Sequence, residues 1–133
     1  MKRSGAIMGL GEKNILTLET DAKRKIDVTK AREQILKANQ NGKKVFCIVG
    51  TSAATPTGSF DPLTDLASLA QEVGAWLHVD GAHGGSLLLS EKLRHKLDGI
   101  EKADSLVWDA HKMMFVPALS TFVFYKDKRA SYQ

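Results

Sequence analysis

The sequence has 133 residues, 43% of them hydrophobic and 26% charged, an ordinary globular composition in the size range of one domain. Lys and Arg exceed Asp and Glu by 19 to 15, a net charge of +4. The bases are scattered through 23–44 and 92–102 with acids between them. A nucleic-acid surface would be denser and interleaved with aromatics, so none is expected. The single cysteine, Cys47, cannot form an intrachain disulfide and fits a reducing cytosol. No run approaches membrane-spanning length. The apolar stretch of the N-terminal MKRSGAIMGLG is too short and glycine-broken for a signal peptide. The expectation is a soluble, cytoplasmic chain without membrane or nucleic-acid partners.

Residues Asn14–Glu19 (NILTLE) alternate polar and apolar and predict a half-exposed strand. Thr29–Gln40 places Ala31, Ile35, Leu36 and Ala38 among charges and ends at Asn41-Gly42, predicting a helix. Val45–Val49 is a continuous apolar run suited to a strand covered on both faces. Gly50–Phe60, rich in Thr, Ser, Ala and Gly, reads as loop. Asp61-Pro62 offers an N-cap with proline at the first helical position. Leu63, Leu66, Ala67, Ala70 and Val73 then follow helical spacing up to a Gly74 cap. Ala75–Asp80 reads as a strand, Gly81–Gly85 as a loop, and Ser90–Leu97 as a short helix capped by Ser90. Ser105–Trp108 and Ser120–Tyr125 complete the strands. With no repeat or linker, this alternation predicts one α/β domain with a largely parallel sheet.

Ligands of such sheets collect at the carboxyl ends of strands. That rule selects the loops Gly50–Ser59, Asp80–Gly85 and Asp109–Met114. Asp80 closes an apolar strand, where a buried carboxylate needs a cationic partner. The small residues of GAHGG leave room for a flat group against the backbone; alternatively Asp80 merely caps a turn. Lys112, between two apolar runs, is either a snorkelling surface lysine or a desolvated amine able to attack a carbonyl and form a Schiff base. A strand-end carboxylate and a strand-end amine together suit pyridoxal phosphate, whose aldehyde needs an amine and whose ring nitrogen needs an acid.

AWLHVDGAHGGSLLLSEKLRHKLDGIEKADSLVWDAHKMMFVPAL, with GTSAATPTGSFDPL upstream, resembles the group II pyridoxal-phosphate-dependent amino-acid decarboxylases. The resemblance runs over essentially the whole chain, and the joint occurrence of V-D-x-A, F-D-P-L and H-K at these separations is specific. It implies the large domain of the fold-type I pyridoxal-phosphate transferases, cut at both ends. It also implies an internal-aldimine lysine at Lys112, a pyridinium partner at Asp80 and a small ring-packing residue at Ala82. His111 matches a histidine near the cofactor phosphate, and Thr55 a threonine near the ring. Asp109 stands where relatives often carry a phosphate-contacting Asn; a carboxylate there would repel the phosphate unless rotated or bridged. Ala53 and Ala54 replace a Gly-Thr pair common in relatives. A piece of this kind is expected to expose sheet edges and apolar surface and to be marginally stable alone.

The implied activity is decarboxylation of an L-amino acid, with glutamate, aspartate and diaminobutyrate members the nearest in sequence and a homodimer expected of the parent enzyme. Another pyridoxal enzyme of the same fold type, an aminotransferase or desulfurase, is an alternative, as is a non-catalytic remnant. A zinc site built from His78, Asp80, His83 and His111 is a further alternative, though it leaves Lys112 without a role; no metal is expected.

Overall fold

A computed structural model describes residues 2–131. After the short helix α1 (Lys2–Ile7), the helix α2 (Val28–Gln40) starts at Asp27, whose carboxylate accepts the Lys30 N–H at 3.2 Å. Its buried residues, Ala31 and Ile35, lie one turn apart. Strand β1 (Cys47–Thr51) leads through the 52–62 loop to helix α3 (Leu63–Val73). Leu63, Leu66, Leu69 and Ala70 form the inner stripe of α3, and Gly74 ends it in the left-handed conformation with φ 65°. Strands β2 (Trp76–Asp80), β3 (Ser105–Asp109) and β4 (Thr121–Tyr125) follow. The sheet order is β1-β2-β3-β4, with β1–β2 and β2–β3 parallel and β3–β4 antiparallel. Among the described residues, no helix is long and apolar enough to cross a membrane.

The core sits on one face of this sheet. Ile48, Leu77 and Val79 meet Leu63, Leu66, Leu69 and Ala70 of α3, with Ala31 and Ile35 of α2 behind them. Full burial of one such leucine stabilises by about 1.5–3 kcal/mol relative to exposure. The opposite face, bearing Cys47, Val49, Trp76 and His78, is half-buried or exposed. The continuous apolar run at 45–49 is therefore covered on one face, not both. Strand β4 is an exposed edge, and Trp108 stacks on its Phe122 at 5.4 Å between ring centroids. Phe122, Val123, Phe124 and Tyr125 all remain exposed, as do Phe115 and Leu119 before them. The expected sheet edge and apolar surface are thus present.

Three expectations need correction. Residues 14–19 form no strand: a 3₁₀ turn at Glu12–Asn14 is followed by extended chain whose pairing is a single bridge, Thr20 with Ile26. Gln34 of α2 satisfies this backbone in place of a neighbouring strand, donating to the Thr17 carbonyl and accepting from the Glu19 N–H. Asp61 does not cap α3. Its two carboxylate oxygens accept from the Ile26 and Thr51 N–H groups, both at 2.8 Å, which ties the 20–26 segment to the end of β1. The segment 90–97 is not a helix capped by Ser90. It is a turn running into a 3₁₀ stretch at Arg94–Leu97, where Leu97 alone is buried. One apolar anchor provides no stripe to hold a longer helix.

Candidate active site

The parallel register brings the carboxyl ends of β1 and β2 side by side, pairing Thr51 with Asp80. The Ser52 N–H extends the ladder by donating to the Asp80 carbonyl at 2.8 Å. Past this point the chain opens into a hollow of about 250 Å³, lined by Thr51–Pro56, Asp80, Ala82, His83 and Lys112. All three loops selected by the carboxyl-end rule reach it. Of the sequence-derived candidates, Lys112, Asp80, Ala82 and Thr55 line the hollow, while His111 and Asp109 are not among the lining residues.

The Asp80 carboxylate accepts from the Ala82 N–H at 3.2 Å. Its partner is thus a backbone amide rather than the cation that the sequence suggested, and half-burial makes this sufficient. The following glycines also differ from expectation. A Cβ on Gly84 would stand 2.7 Å from both the Ala53 Cβ and the Ser52 carbonyl, and one on Gly81 or Gly85 would strike Leu106 or Trp108. These glycines therefore let the 81–85 loop close onto its neighbours; the space lies in front of Ala82 instead. Facing it, Ala53 holds φ 59°, a conformation that a residue with a side chain adopts only under strain.

Lys112 is exposed rather than desolvated, and Met114, Phe115 and Val116 after it turn outward. Its Nζ forms an ion pair with Asp109 Oδ2 at 2.7 Å. Asp109, the last residue of β3, is buried. Its other oxygen, Oδ1, accepts from the Thr121 hydroxyl at 2.7 Å, across the antiparallel pair that β3 makes with β4. These bonds, Lys112 first and Thr121 second, hold the Asp109 carboxyl below the usual carboxylate range against the opposing effect of burial. His111 stands behind. Its Nδ1 lies 3.1 Å from both the Ser120 N–H and the Ser120 carbonyl, and its Nε2 lies 4.0 Å from Asp109 Oδ2.

A larger hollow of about 490 Å³ lies elsewhere, lined by Lys25, Asp61, Asp65, His95 and Lys96 among others. It holds none of the candidate residues, so size alone does not mark the site. The smaller hollow combines an amine, a carboxylate and hydroxyls with small flat walls, a set suited to capturing a carbonyl compound.

The description "Pyridoxal-dependent decarboxylase conserved domain" matches residues 1–133. The chain belongs to the pyridoxal-dependent decarboxylase family. An acidic amino acid decarboxylase of Mus musculus is 39% identical over 128 residues, which are 96% of this chain and 23% of that protein. The aspartate 1-decarboxylase of Aliivibrio fischeri is 39% identical over 127 residues, again 96% of this chain and 23% of the relative. Among solved structures, the glutamate decarboxylase domain of a Vibrio parahaemolyticus diaminobutyrate-pyruvate transaminase and L-2,4-diaminobutyrate decarboxylase superposes with TM-score 0.92. It shares 38% identity, with 96% of this chain and 28% of that one covered. The chain thus spans about a quarter of the length of the relatives it matches.

The residues present fit the group for which the pyridoxal-dependent decarboxylase family is named. The hollow lies just below the usual ligand-cleft range of roughly 300–1,000 Å³, which suits one substituted ring better than a dinucleotide. Ser52, lining it and 1% exposed, has a hydroxyl with no hydrogen-bond partner among the described residues. Buried polar atoms are nearly always paired, so an unpaired one beside an amine and a carboxylate marks a place for a ligand. By contrast, His78, Asp80, His83 and His111 do not converge: among the described residues, no group of three or more His, Cys, Asp or Glu is placed to hold a metal ion.

Ser52 and Thr121 were not picked out by sequence reasoning, which noted Ala53 only as a departure from relatives and His83 only as a possible zinc ligand. All but Thr121 follow from the loops that the carboxyl-end rule selects. Thr121 had no such signal, because it acts through the antiparallel register of β4.

Proposed function

We propose that this chain is the middle, cofactor-holding portion of an enzyme that removes the α-carboxylate of an acidic or related L-amino acid, such as glutamate, aspartate or diaminobutyrate. The observation that carries this reading is the common hollow of Lys112 and Asp80, in a chain whose relatives are named as decarboxylases of these substrates.

A bound pyridoxal group supplies an aldehyde for an amine and a protonated ring that takes up the electron pair left by the departing carboxylate. Lys112 supplies the amine, on a flexible stem rooted at the end of β3. Asp80 supplies negative charge at the end of β2, where it would hold a proton on the ring nitrogen of such a group. Ala82 and Ala53 form small walls that admit a flat ring, and the Thr55 and Ser52 hydroxyls offer hydrogen bonds at its edge. His111 acts from behind Lys112, through Asp109.

The single free cysteine supports a reducing, cytoplasmic setting. A homodimer belongs to the same reading for the longer protein and rests on the resemblance. Because the chain spans about a quarter of its relatives, a second reading is a piece that holds cofactor without turnover. Loading the chain with pyridoxal phosphate and measuring carbon dioxide release from glutamate, aspartate, cysteine sulfinate and diaminobutyrate separates them. Release from one or more supports the enzyme. Cofactor binding without release supports the second reading, and transfer of the amino group to a keto acid would point to an aminotransferase.

A further inference from the structure

The carboxylate behind the lysine has a geometry that neither phosphate contact nor packing explains. Asp109 is buried, yet both of its oxygens are committed: Oδ1 to Thr121 and Oδ2 to Lys112, each at 2.7 Å. The Thr121 bond fixes the carboxylate plane from the neighbouring strand, so Oδ2 has one direction in which to hold the amine. Further in, the Asp109 N–H donates to the Ala82 carbonyl at 3.3 Å, which anchors the same residue to the loop beside Asp80. Held below the usual carboxylate range, Asp109 is a fixed charge rather than a proton carrier. An amine held in such an ion pair has no lone pair to offer a carbonyl.

We propose that Asp109 is a positioning residue for Lys112: braced by Thr121, its carboxylate holds the Nζ in an ion pair, and an incoming aldehyde must break that hold to reach the amine. The proposal rests on the reading of Lys112 as the aldehyde-capturing amine. It also accounts for an acid at this position, since a carboxylate turned onto Lys112 and Thr121 is turned away from any anion in the hollow. The release leaves Asp109 without its ion-pair partner, and a buried charge that loses its counter-charge is costly. His111 is the stand-in, with its Nε2 already 4.0 Å from the same oxygen.

The hold is measurable without the cofactor. Mild reductive methylation of the folded chain with formaldehyde and cyanoborohydride, read lysine by lysine from peptide masses, reports how freely each amine meets an aldehyde. Lys43, exposed and in no ion pair among the described residues, is the internal reference. Asp109→Asn keeps an acceptor for Thr121 but removes the charge. It should speed labelling of Lys112 relative to Lys43 by roughly three- to ten-fold, the range set by a partly exposed, charge-assisted pair. Thr121→Val, which unbraces the carboxylate, should speed it by about two-fold. Raising salt from about 0.01 M to about 1 M shortens the screening length from roughly 30 Å to roughly 3 Å. That should speed Lys112 labelling in the native chain and leave the Asp109→Asn chain unchanged, a difference that a merely structural role would not produce.

A folded Asp109→Asn chain labelled at the native rate or more slowly would overturn the proposal, as would native labelling insensitive to salt. If Asp109→Asn does not fold, Thr121→Val decides by the same criterion. Failure to bind pyridoxal phosphate would strike the functional reading and leave these rates untouched. Unaltered rates in a chain that does capture the cofactor on Lys112 would strike the hold alone.

Discussion

Asp80 and Lys112 reach one hollow from neighbouring parallel strands, Asp80 closing β2 and Lys112 lying one turn beyond the end of β3. Neither residue is deeply buried, and each already has a partner, the Ala82 N–H for one and Asp109 for the other. The site is therefore best described as an amine and an acid held apart across a space, with their charges anchored until something enters between them.

The wall of that space depends on close contact between loops. Gly84→Ala would set a methyl 2.7 Å from the Ala53 Cβ and from the Ser52 carbonyl, and backbone cannot yield as a side-chain tip can. Overpacking of this kind costs about 1–3 kcal/mol. The expected result is a lower urea midpoint together with weaker pyridoxal phosphate binding, measured by absorbance titration. A variant with native stability and native binding would show that the loops have slack.

Leu66 is fully buried between α3 and the sheet. Leu66→Ala should cost about 2–5 kcal/mol, a large part of the margin available to a single small domain. Equilibrium urea unfolding is the measurement, and the expected variant is partly unfolded in buffer. A loss below about 1 kcal/mol would mean that the core around α3 is loosely packed.

Acid should weaken the fold in two stages. Burial lowers the His78 pKa, with Asp80 opposing, and the ring bonds to the Ser105 hydroxyl at 2.8 Å. Above the unfolded histidine value, about 6.5, the ring is neutral in both states and costs nothing. Below it the unfolded chain takes up a proton that folded His78 resists, so stability declines as pH falls through that value. His78→Gln should flatten this part of the stability curve, read by denaturation at stepped pH. Equal slopes in both proteins would contradict the assignment. Asp109 acts lower down. Its depressed carboxyl stabilises the fold above the unfolded carboxylate range, near 3.9, and that contribution is lost as pH falls through the folded value.

The parts of this picture legible in the sequence are those set by local periodicity. Leu63, Leu66 and Ala70, with Gly74 behind them, announce α3 and its end, and three strand-end loops announce the site. Pairing partners are not local. The alternation at 14–19 looked like a strand because nothing in the segment reveals that Gln34 of α2, rather than another strand, meets its backbone. The apolar residues around Lys112 suggested burial, yet an apolar run at an exposed sheet edge reads the same as one in a core. The grip of Thr121 on Asp109, and of Asp109 on the lysine, depends on the β3–β4 register, which no motif encodes.

The most direct test of the central claim is to add pyridoxal phosphate to the folded chain, reduce with borohydride, and map the labelled peptide. The account predicts one stable adduct on Lys112, lost in Lys112→Ala without change in circular dichroism, and a weaker yield in Asp80→Ala. Label spread over exposed lysines, or a label persisting in Lys112→Ala, would contradict it.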